Sequence, residues 1–167
     1  MIAVPVVLQN RQRVVALDRV WLRRTAEAVL SAARADNAEL SLVLVSDRRM
    51  RALNRRYRKK DRATDVLAFP LTPTLSGAPI APPIAMGHGS PPMLLGDVVI
   101  SMETAKRQAS EFGRSLRDEV ARLLIHAVLH LIGYDHERGP RAAALMARKE
   151  QAILKALGGR VRVGVQE

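Results

Sequence analysis

There is no cysteine anywhere in the chain, so neither a disulfide framework nor a thiolate metal site can form. A metal, if one is bound, must be taken by histidine or carboxylate, and stability must come from a packed core. Aromatic residues are almost as scarce, with two Phe, two Tyr and one Trp, which excludes a grip on nucleic acid built mainly on base stacking. No apolar run approaches the roughly 18 residues that span a bilayer. The apolar start, Met1-Ile-Ala-Val-Pro-Val-Val-Leu8, has no basic flank and no small-residue cleavage site, so it reads as a strand rather than a signal peptide. The expectation is a cytoplasmic protein without a membrane partner.

What the chain does have is size, apolar content and positive charge. Its 167 residues suffice for one domain with a real core and are too few for two of ordinary size. Hydrophobic residues make up 48% and charged residues 26%, a globular balance. The expected division is one domain over residues 1–157 and a loose C-terminal tail over 158–167. The formal charge is +11, and 22 of the 27 basic residues are arginine. Such a surplus favours polyanions, and the planar guanidinium fork matches paired phosphate oxygens, so the charge points toward nucleic acid. A solubilising surface is the plainer explanation of the same charge.

Apolar periodicity divides the chain into strands and helices. Ala3 to Gln9 reads as an edge strand because it contains a proline. Asp18 caps a helix carrying Leu22, Ala26, Val29, Leu30 and Ala33 on one face, and Leu40 to Val45 is a compact strand. Ser46-Asp47 starts a helix reaching about Tyr57. Asp65 to Pro70 and Leu94 to Ile100 are strands separated by a Pro- and Gly-rich loop, Leu71 to Pro92. Ser101 caps a helix ending near Phe112. The helix from Leu116 to Ile132 is apolar nearly all round, which predicts a central position packed on two sides. Gly133 ends it, and a last helix runs from Pro140 to about Leu157, before Gly158-Gly159.

Three of the four histidines fall within eleven residues, His126-Ala-Val-Leu-His130-Leu-Ile-Gly-Tyr-Asp-His136. Helical residues four apart lie about 6 Å from each other on one face, so two imidazoles can close on one ion. Gly133 can take the left-handed turn that folds the third imidazole back toward them. At 100° per residue from Val120, the two helical histidines sit at about −120° and −80°, flanking the apolar stripe instead of lying in it. Three neutral imidazoles leave Zn²⁺ an open fourth position for water, the arrangement of a metal hydrolase. An isolated i,i+4 histidine pair would be unremarkable; the third histidine after a helix-ending glycine is what favours metal. His88, in the Pro- and Gly-rich loop, reads as a surface residue.

The spacing is shared with long zinc-protease motifs, in which a glutamate follows the first histidine. Here that residue is Ala127, so the protease's general base is missing. The segment instead resembles that of the YbeY endoribonucleases, His-Gly-x-Leu-His-Leu-x-Gly-Tyr-Asp-His, with Ala127 in place of glycine. Leu53 to Pro70 is similar to a second stretch of that family, with Ala63 for proline and Ala68 for serine, and Leu95-Gly-Asp97 to its Leu-Gly-Asp strand. The Leu71 to Pro92 loop is longer than the family pattern.

That resemblance, over about residues 40 to 157, implies an α+β fold, a mixed sheet of about four strands with about five helices around it. It implies one Zn²⁺ on His126, His130 and His136. It also implies cleavage of single-stranded RNA in rRNA maturation, at the 3′ end of 16S rRNA, and in ribosome quality control. The small ribosomal subunit and assembly proteins would then be partners. It carries over a phosphate-contacting role for Arg58, and nine basic residues between Arg48 and Arg62 agree with that role, although such a run also suits a solvated face. Asp135 and Glu137 flank the third histidine and could orient an imidazole or relay a proton. A zinc metallopeptidase, or an RNA-binding assembly factor with a structural metal, are the rival readings.

Overall fold

A computed structural model describes residues 6–71 and 93–161; His88 and most of the expected 71–92 loop lie outside the described residues, as does Ala3 to Pro5 of the first strand. The order of elements is β1 (Val6–Asn10), α1 (Arg19–Ala32), β2 (Ala38–Val45), α2 (Asp47–Arg58), β3 (Val66–Pro70), β4 (Met93–Ser101), α3 (Met102–Glu111), α4 (Leu116–Ile132) and α5 (Pro140–Val161), with a 3-10 turn at His136–Arg138 before α5. The expected α+β class and mixed four-stranded sheet are both present. The strands lie in the order β1-β2-β4-β3; β1, β2 and β4 are parallel, and β3 runs antiparallel to β4.

Alternation along the strands sends side chains to two unequal layers. Leu40, Leu42 and Leu44 of β2, with Val98 and Ile100 of β4, enter the main core beneath α1, α4 and α5. Val45, Leu67 and Val99 point to the other face, where Met50 of α2 completes a small second cluster. Helix α4 buries eleven residues, among them Val120, Leu124, Val128 and Leu131, and touches β3, β4, α1, α3 and α5. It occupies the central place that its nearly all-round apolar sequence predicts.

The caps show how the local sequence sets the helices. Asp18 Oδ1 accepts from the Val20 and Trp21 amides at the start of α1, and Ser46 Oγ accepts from Arg49 N at the start of α2. Ser101 departs from expectation. It precedes α3 but makes no side-chain cap; its hydroxyl donates to Asp47 Oδ1 at 2.5 Å, because α2 brings a carboxylate within reach. Helix α5 also differs, continuing through Gly158-Gly159 to Val161. Glycine there forfeits about 1 kcal/mol of helix propensity relative to alanine, too little to stop a helix whose preceding turns, through Ile153 and Leu157, are anchored in the core.

Gly96 gives the Leu-Gly-Asp segment its structural reason. The pairing of β2 with β4 shifts between Glu39 and Leu40, so one residue of β4 is extra, and Gly96 adopts φ +146°. A Cβ there would lie within 2.3 Å of the Phe69 carbonyl oxygen on β3 and 3.0 Å from Leu131 Cδ2. Only glycine lets β3 approach this closely, and β3 forms a wall of the site described next.

Candidate metal centre

The i,i+4 spacing on α4 places His126 and His130 with their rings 4.6 Å apart and their Nε2 atoms 3.1 Å apart. Gly133 ends the helix with φ 112°, its amide and that of Tyr134 closing onto the carbonyls of His130 and Leu129. Asp135 then accepts from Glu137 N at 2.9 Å and starts the 3-10 turn at whose head His136 sits. The His136 ring ends 5.4 Å from that of His126 and 5.2 Å from that of His130. One ring nitrogen from each histidine falls within 4.8 Å of the other two.

This donor set fits a divalent ion. Two bonds of about 2.05 Å at a tetrahedral angle separate nitrogens by about 3.3 Å, close to the helical pair's spacing. His126 Nδ1 lies 2.6 Å from Glu150 Oε1. A carboxylate accepts only, so Nδ1 carries the proton and Nε2 presents a bare lone pair to the cluster. Partial burial, and then the neighbouring His126 and His136, push the His130 pKa below its ordinary value, favouring the neutral imidazole that binds metal.

Glu150 is the residue that reading the sequence missed. It stands on α5, twenty-four positions from its partner, and no spacing rule connects them. A signal was available: Glu150 is the only acidic residue of α5, and a metal-bound histidine ordinarily gives its second N–H to a carboxylate. Asp135, by contrast, spends its carboxylate on the turn. The Glu137 amide holds its pKa below the usual range, and Arg138 lies 3.4 Å away. Glu137 is exposed.

The three histidines line an open cleft of about 910 Å³, and Arg58 lines it too. Arg58 ends α2 with its side chain exposed, and its position follows from the segment around it. Lys59 turns left-handed at φ 59°, and the buried Asn54 receives the Lys60 amide on its carbonyl while its Nδ2 donates to the Arg62 carbonyl at 2.8 Å. Tyr57 packs edge-on against Phe69 of β3 at 5.2 Å, fixing the end of the helix over the sheet. At the start of α2, burial pushes Asp47 up, but Ser101, Thr104 and Arg107 all donate to its carboxylate and hold it below the usual range. Both ends of α2 are therefore fixed to the sheet side of the cleft. Ala127, where a peptidase carries its base, is buried in the core and offers no carboxylate.

Comparison with known proteins points one way. The family model described as Endoribonuclease YbeY matches residues 7–158. Proteins named Endoribonuclease YbeY from Anaeromyxobacter dehalogenans, Aquifex aeolicus and Pelotomaculum thermopropionicum are 48%, 41% and 44% identical to this chain. The matches cover 87%, 91% and 90% of it and 69%, 91% and 95% of those proteins. The solution structure of TM1509 from Thermotoga maritima shares the fold, with a TM-score of 0.62 at 22% identity over 95% of this chain and 93% of that one.

Proposed function

The chain belongs to the YbeY family of endoribonucleases, metal-dependent hydrolases that act on RNA, and from that premise we propose that it cuts single-stranded rRNA precursors at the histidine cluster with Arg58 as the phosphate contact. The observation that carries this reading is one cleft in which three converging imidazoles and an arginine without an ion-pair partner among the described residues face the same space. The proposed ion is a single Zn²⁺ on His126, His130 and His136, which when bound would supply Lewis acidity and hydroxide at neutral pH.

The chain's own groups do the rest. Glu150 keeps the proton on His126 Nδ1, so that the opposite nitrogen stays free. Arg58 neutralises negative charge gathering on the phosphate as its geometry becomes five-coordinate, where a guanidinium fork can meet two oxygens at once. The proposed working unit is residues 1–157, with 158–167 as an appended tail. The proposed biological task is maturation of the 16S rRNA 3′ end and ribosome quality control in the cytoplasm, with the small subunit and its assembly proteins as partners. The surplus of arginine suits such a polyanion, and no helix among the described residues is long and apolar enough to cross a membrane.

Metal analysis coupled to RNA cleavage tests the assignment. His130→Ala should lose metal and cleavage while keeping its circular dichroism spectrum. Arg58→Ala should keep metal and cut more slowly, by roughly tenfold or more for a lost charge-assisted contact. Full activity in Arg58→Ala would remove its role. Unfolding of His130→Ala, together with a wild type that cuts no RNA with any metal, would mark the ion as structural.

A further inference from the structure

Five cationic side chains line the cleft: Arg58, Lys60, Arg114, Arg122 and Arg138. Two of them are already neutralised. Arg114 Nη1 lies 2.9 Å from the buried Glu119 carboxylate, and Arg138 pairs with Asp135. The guanidinium of Arg122 makes no hydrogen bond or ion pair among the described residues. It differs from Arg58 and Lys60 in being half-buried where they are exposed. Holding a cation partly out of water without a counter-charge is unfavourable. A local remedy exists in the sequence, since Asp118 stands four residues earlier in the orientation that favours a helical pair. No such pair forms, and Asp118 stays exposed.

Arg122, His126 and His130 follow one another at four-residue intervals on α4, and all three line the cleft. Arg122 is therefore one turn, about 6 Å, from the first metal-ligand candidate, comparable to the step between neighbouring phosphates of an extended strand. Glu137, the neighbour of His136, also lines the cleft and is exposed, a negative charge that disfavours a polyanion on that side.

We propose that Arg122 is a second phosphate subsite, holding the phosphodiester next to the one cut at the histidines, so that the RNA backbone leaves the centre toward the N-terminal end of α4. This rests on the RNA-cleaving reading above and adds a direction and a minimum length. A substrate needs a phosphate on one flank of the cut, and its loss on the other flank matters little.

The test replaces single phosphates of a short RNA by neutral methylphosphonates, one on each flank of the cut. In the wild type, one of the two replacements should lower kcat/KM by about tenfold or more, and the other should have little effect. Arg122→Gln should show the same drop with the all-phosphate strand and no further drop with the sensitive replacement. A second readout needs no turnover. The salt dependence of RNA binding to chelator-treated protein, followed by fluorescence anisotropy, should lose about 0.7 from its log–log slope in Arg122→Gln and recover in Arg122→Lys. Thermal melts of both variants establish that they fold. An Arg122→Gln protein with wild-type slope and undiminished sensitivity to the replacement overturns the subsite. A wild type that cuts no RNA while the slope still shifts would instead overturn the enzymatic reading and leave Arg122 as a phosphate contact.

Discussion

At the residue scale, the decisive event is the placement of one proton. The 2.6 Å contact of Glu150 with His126 Nδ1 fixes which nitrogen of that ring can serve a metal. Glutamine at position 150 can still accept from Nδ1–H through its amide oxygen, whereas alanine cannot accept at all. Glu150→Ala should therefore weaken zinc binding by about 10- to 100-fold in a chelator competition, with a smaller loss in Glu150→Gln. Nitrogen-15 shifts of the His126 ring in metal-free protein should report Nδ1–H in the wild type and a tautomer mixture in the alanine variant. Equal affinity losses in the two variants would assign the effect to charge rather than to tautomer. The pairing of Glu150 with His126, as distinct from its being the one acid of α5, was illegible in the sequence for a plain reason. Three-quarters of the distance from His126 to Leu157 separates it from its partner, and only the packing of α5 against α4 brings the two together.

At the element scale, the site depends on two strands and a helix meeting closely. Residue patterns located α2 and β3 well, because caps and alternation are local properties. They did not disclose that Ser101 would serve Asp47 instead of its own helix, since that choice is made by whichever acceptor the fold brings nearest. Gly96 makes a sharper case. The Leu-Gly-Asp segment reads as part of an ordinary strand, yet its glycine both carries φ +146° and leaves room for the Phe69 carbonyl. Gly96→Ala should destabilise the protein by about 2 kcal/mol or more in urea unfolding, combining backbone strain with displacement of β3. If β3 moves, Arg58 moves with it through the Tyr57–Phe69 contact, so cleavage should fall more than metal content does. An alanine variant of unchanged stability would show that the strand pairing tolerates a wider spacing.

At the scale of the whole molecule, charge and fold divide the work of holding RNA. The net charge of +11 provides attraction without position. The fold selects from that surplus three cleft cations without a carboxylate partner among the described residues, Arg58, Lys60 and Arg122. Three phosphate contacts predict a log–log salt slope of about −2 for single-stranded RNA. Aromatic stacking adds little, since besides the three imidazoles only Tyr57, Phe69 and Tyr134 bring rings to the cleft wall among the described residues. A much steeper slope would bring the outer arginines of α2, such as Arg55 and Arg56, into the contact; a nearly flat one would mean that the cleft does not bind the backbone.

The sequence by itself determined the helix that carries His126 and His130, the glycine that turns His136 toward them and the absence of a protease base at Ala127, because all three are set within one continuous stretch, Leu116 to His136. It also located most of the strands and helices, through the change of apolar period from one to the other. Only the tertiary structure decided that Glu150 faces His126, that β3 can lie against Gly96, and which arginines remain without a counter-charge. Those are contacts between elements far apart in the chain. No local pattern records them, since the same side chain pairs or stays free according to what the packed core puts beside it.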